Sequence, residues 1–140
     1  VSQDYVEASN FLKLTRAEGE IDFIVAPDLT HRPRETMDVD GRHLTTETSV
    51  EIVIKKAFYR AADLRVRDVF DWAVVLDHCA DELHRNAAVL RSKKSILCAR
   101  MQHLSQRFTA GAATEIAVLP AGEPYLAAAP QAVAAFFTAL

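Results

Sequence analysis

The sequence predicts an α+β fold, a small and mainly antiparallel sheet followed by a helical bundle, and three observations carry that prediction. Strand-favouring segments separated by turn residues fill the first third, with Asp40-Gly41 as the strongest hairpin signal. An apolar stripe with the helical period of 3.6 residues begins at Val50 and runs to Ala61. Between Asp81 and Phe108, Leu83, Ala87, Leu90, Leu97, Met101, Leu104 and Phe108 recur at spacings of three, four or seven. The expected organisation is a sheet region over 1–46 and a helical region over 47–140, packed together as one globular unit.

Taken in order, Asn10 to Ala26 reads as a hairpin turning through Thr15 to Gly19. Alternation sets Glu20, Asp22 and Ile24 on one face and Ile21, Phe23 and Val25 on the other, so Asp22 belongs on an exposed sheet face. Pro27 to Arg34 is a loop, and Glu35 to Val39 with Arg42 to Thr46 form a second hairpin around Asp40-Gly41. Four short strands are expected in all.

Thr48 and Glu51 have the spacing of a capping box, which predicts a helix starting near Ser49. Val50, Val53, Ile54, Ala57, Phe58 and Ala61 make its core-facing stripe. Glu51, Lys55, Lys56, Tyr59 and Arg60 fall outside it, with Glu51 one turn before Lys55 in the favourable order for an ion pair. A second helix places Val66, Val69, Phe70, Ala73 and Val74 inward and leaves Arg67, Asp68 and Asp71 near its start. The 81–108 segment should break near Ser92 or Ser95. A PAGEP turn at Pro120 to Pro124 precedes a last helix with Val133, Phe136, Phe137 and Leu140 on its apolar face.

Composition narrows the function classes. At 140 residues, 50% hydrophobic and 25% charged, the chain is long enough for one domain with a real core. A net charge of -3 supplies no global attraction for nucleic acid, so such binding must rest on a local patch. Cys79 and Cys98 are too few for a disulfide framework, and a reduced, cytoplasmic setting is the default. No apolar run approaches a membrane span of about 20 residues, and no secretory leader opens the chain, so no membrane partner is expected. A first residue of Val rather than Met is expected of a trimmed or excised chain.

Chemistry-bearing residues concentrate in few places. His78, Cys79 and His84 lack zinc-site spacing. Four glycines, at 19, 41, 111 and 122, form no phosphate cradle. Lys93, Arg100 and Arg107 recur every seventh residue as a basic stripe, which is either a solvated helix face or an RNA-contacting patch. Lys55, Lys56, Arg60, Arg65 and Arg67 put five cations within thirteen residues, close to Asp68 and Asp71. Such a cluster suits a triphosphate, with Lys as a point charge and Arg as a planar fork. Local pairing of Glu51 with Lys55 and of Arg67 with Asp71 accounts for the same residues equally well.

The run ETSVEIVIKKAFYRAADLRVRDVFDWAVVL, with FLKLTRAEGEIDFIVAPDLT upstream, resembles the AbiEii/AbiGii family of nucleotidyltransferase-fold toxins of bacterial toxin-antitoxin and abortive-infection systems. The resemblance spans roughly Phe11 to Leu76, through E-[IV]-x-x-K-K-x-x-Y-R at Glu51 to Arg60 and R-D-x-F-D at Arg67 to Asp71. It implies the remnant of a polymerase-beta-like palm and transfer of nucleotides from a Mg2+-bound NTP, in some members onto tRNA. By the same analogy Lys55 or Lys56 neutralises the triphosphate with Arg60 and Arg67 nearby. Asp68 or Asp71 completes the site from the helical side, and Asp22 in IDF faces Mg2+. The family's G-[GS] turn and D-x-D strand are absent; Ala8-Ser9 and Glu20-Ile21-Asp22 reproduce only their spacing. The expectation is therefore a truncated or partial enzyme, inactive alone, in which Asp22, Lys55, Lys56 and Asp68 survive. The competing expectation is a non-catalytic interaction or regulatory module of that fold, binding a cognate antitoxin protein or pairing as a homodimer through a sheet edge.

Overall fold

The computed structural model describes residues 5–140 and is an α+β protein with two small antiparallel sheets ahead of a helical body. The first sheet has the order β1 (Tyr5–Ala8), β2 (Phe11–Arg16), β3 (Gly19–Ile24), with Ala8 opposite Phe11 and Lys13 opposite Asp22. The second is a separate hairpin of β4 (Arg34–Val39) and β5 (Arg42–Glu47). Its turn places Asp40 at φ 52 and Gly41 at φ 76, the left-handed pair that Asp-Gly supplies at low steric cost.

Among the described residues five strands therefore replace the four expected. The extra strand, β1, folds back on β2 through Ser9-Asn10, a turn pair without the glycine that makes a two-residue hairpin legible.

Helix α1 (Ser49–Tyr59) begins where the cap predicts: Thr48 Oγ1 accepts the Glu51 N–H at 3.2 Å. The other half of the expected box does not form. Thr48 N–H instead donates to Pro33 O at 2.9 Å, because the Glu51 carboxylate is used elsewhere. Val50, Val53, Ile54, Ala57 and Ala61 are buried, and Phe58 is half-buried. A short 3-10 turn over Ala61–Asp63 leads to α2 (Val66–Asn86), longer than expected and kinked at Cys79. A 3-10 segment (Ala87–Lys93) then separates it from α3 (Lys94–Glu115), which sets the break just ahead of Ser95. Helix α4 (Tyr125–Thr138) follows a 3-10 turn over Pro120–Gly122. No helix among the described residues is long and apolar enough to cross a membrane.

The core lies wholly within the helical body. Its anchor is Trp72, fully buried on α2: the indole N–H donates to Val53 O of α1 at 3.1 Å, and the ring meets Phe136 and Phe137 of α4 at 5.3 and 5.0 Å between centroids. Leu83, Leu90, Leu97, Met101 and Phe108 extend the core along α2, the 3-10 segment and α3. No strand residue among those described joins it. The sheet and helical regions are tied by the loop between the sheets, which packs Leu29 against the core and makes polar contacts with the helices. Leu29 and Thr30 donate to Glu51, and His31 N–H donates to Asn86 Oδ1 at 3.0 Å.

Candidate functional site

Glu51 is the pivot of the region. It was expected on the polar side of α1, yet it has no exposed surface. Its two oxygens accept the N–H groups of Leu29 and Thr30, each at 2.9 Å, and the Thr30 hydroxyl at 2.6 Å. Lys55 stands 3.1 Å away, the i,i+4 pair that spacing predicts. A buried carboxylate with this many donors is stable as the anion. Burial by itself pushes the carboxyl pKa up, but the Thr30, Leu29 and Lys55 contacts outweigh it and hold Glu51 below the usual range. The clasp joins the loop between the two sheets to the first turn of α1.

Beside this clasp, α1 and the end of β3 frame a cleft of about 390 Å3. Lys55, Lys56, Tyr59 and Arg60 line its helical side, Asn10, Ile24 and Val25 the side of the first sheet, and Glu47 at the end of β5 completes the lining. Three of the expected nucleotide-binding cations are thus brought together. Asp71 joins them through Lys56, whose Nζ lies 2.6 Å from its carboxylate. Asp22 sits two residues before Ile24 on the same strand face, roughly 7 Å along it. It is exposed and 3.7 Å from Lys13.

Two expected residues are placed differently. Asp68 has no exposed surface: Oδ2 accepts the Arg65 N–H at 2.9 Å at the start of α2, and Oδ1 lies 3.4 Å from Lys56. It caps a helix and balances a lysine, and burial keeps it off the cleft surface. Arg67 points away from the α1 cleft and lines a second one with Arg65, Arg100 and Arg107. Its expected pairing with Asp71 does not form, because Asp71 is taken by Lys56 from the neighbouring helix. Lys93 leaves the expected basic stripe. The 3-10 segment rotates it out of register with α3, and its Nζ rests 5.2 Å from the Phe58 ring centroid.

The charge balance of the α1 cleft is decided by these contacts. Lys55 meets Glu47 at 2.6 Å as well as Glu51, and Lys56 meets both Asp68 and Asp71. Burial alone lowers the Lys55 pKa, but its two carboxylate partners raise it overall, so the ammonium is fixed. Arg60 enters no ion pair among the described residues. Mg2+ takes one or two carboxylates together with waters and phosphate oxygens. Asp22 faces Lys13 while Asp68 and Asp71 share Lys56, and no metal-holding group of three His, Cys, Asp or Glu occurs among the described residues. The donor set as it stands does not form a Mg2+ centre.

Tyr59, placed off the apolar stripe by its spacing but given no role there, belongs to the cleft. It is half-exposed at the cleft, set edge-on to Phe58 at 5.1 Å, and offers an aromatic face beside Arg60. Its position next to Arg60, off the apolar stripe, was the available signal.

No family model, no curated protein and no solved structure is matched by this chain.

Proposed function

We propose that the chain carries the triphosphate-facing part of an AbiEii-like nucleotidyltransferase toxin, and that it binds Mg-NTP in the α1 cleft without transferring nucleotides by itself. The convergence of Lys55, Lys56 and Arg60 beside the strand that bears Asp22 supports this reading. Arg60 contributes a free fork for phosphate oxygens. Lys56 exchanges Asp71 for a phosphate oxygen of the nucleotide. Tyr59 gives the base a face to stack on. In some members of the family this chain resembles the acceptor is tRNA, and tRNA is accordingly one acceptor proposed for a complete enzyme.

Mg-ATP and Mg-GTP titration of the wild type against Lys55→Ala/Lys56→Ala tests it. Wild-type binding that weakens at least tenfold in the double variant is expected. No wild-type binding, or equal binding by both proteins, would retire the reading.

A second reading, a protein-interaction module, is favoured by one face of the first sheet. Tyr5, Ile21 and Phe23 are 43%, 52% and 55% exposed there beside half-buried Leu12 and Leu14. Uncovered apolar faces of this kind mark partner surfaces, and a cognate antitoxin or a second copy is the occupant this reading proposes.

A further inference from the structure

The second cleft, of about 780 Å3, lies between the start of α2 and the stretch of α3 from Arg100 to its end at Glu115. Arg65 and Arg67 form one wall, Arg100, His103 and Arg107 the other, and Glu115 is its one acidic lining residue. None of the four arginines enters an ion pair among the described residues, in contrast to Lys55 and Lys56. Arg100 is oriented by its Nε, which donates to Leu64 O at 2.8 Å and leaves both terminal nitrogens for a ligand. The walls are held close at Gly111, where an added Cβ would lie 2.6 Å from Val66 Cγ2.

We propose that this cleft binds a nucleic-acid strand through its phosphates. Unpaired guanidinium groups are planar forks for phosphate oxygens. Arg100 and Arg107 stand about 10 Å apart along α3 at 1.5 Å per residue, with two further arginines opposite. This is a row suited to successive phosphates rather than a clamp on one. His103 is the only aromatic ring in the lining, so recognition runs through the backbone and not through base stacking. The site shares only the α2 start with the α1 cleft's surroundings and stands whether or not that cleft binds nucleotide.

The test is binding of a single-stranded ten-nucleotide RNA across a salt series. It compares wild type, Arg67→Glu/Arg107→Glu, and an equal charge change on the sheets, Arg16→Glu/Arg42→Glu. Four phosphate contacts give a log–log salt slope near -2.8, at about 0.7 per contact for single strands. The cleft variant should lose at least tenfold in affinity and about 1.4 of that slope, with its far-UV circular dichroism unchanged, while the sheet variant keeps both. Absence of wild-type binding at low salt, or equal losses in the two variants, would overturn the proposal. Displacement of the RNA by stoichiometric tripolyphosphate would overturn it in favour of a compact ligand.

Discussion

Glu51→Ala should destabilise the protein by about 3–5 kcal/mol, as expected when one member of a buried, hydrogen-bonded ion pair is removed. The change strips the acceptors from Leu29 N–H, Thr30 N–H and the Thr30 hydroxyl and leaves Lys55 with Glu47 alone. Glu51→Gln keeps the shape but turns an amide NH2 toward a backbone donor, and should cost about 1–3 kcal/mol. The pH dependence has a definite sign. The folded Glu51 pKa lies below its ordinary value, so its contribution is complete above about pH 4.3 and is lost as pH falls through the lower folded value. Urea denaturation between pH 3 and 7 should show the gap between wild type and Glu51→Gln narrowing toward acid. A gap independent of pH would mean that the carboxylate charge is not what holds the loop.

Trp72→Ala should cost a comparable amount, about 3–5 kcal/mol, through the cavity left between α1, α2 and α4. Trp72→Phe fills most of that volume and loses the bond to Val53 O, about 1 kcal/mol, so it should fall well short of the alanine variant. Because Trp72 is the only tryptophan, circular dichroism rather than fluorescence must follow the variants. Equal losses for Phe and Ala would show that the indole hydrogen bond, not packing, is the larger contribution.

Periodicity and the Thr48 cap were enough to locate α1 and its buried stripe, and turn residues located both hairpins, because those features are set within a few residues of sequence. The role of Glu51 was not legible for the same reason. Local spacing offers it Thr48 and Lys55, whereas three of its donors belong to residues 21 and 22 positions upstream. Asp68 likewise looks like a free first-turn acid until α1 brings Lys56 against it. The convergence of Lys55, Lys56 and Arg60 on one surface was legible from helical spacing, but their neutralisation was not, since Glu47 and Asp71 come from other elements. The second cleft depends on how α2 and α3 cross. Its signals were Arg100 and Arg107, two members of the basic stripe, and Gly111, a glycine inside a helix that allows a close approach.

If nucleotide meets this chain at the α1 cleft, saturating Mg-ATP should slow amide hydrogen exchange over residues 52–60 and 24–26, where the cleft is lined. Unchanged exchange there, or slowing confined to residues 65–67 and 100–111, would contradict it.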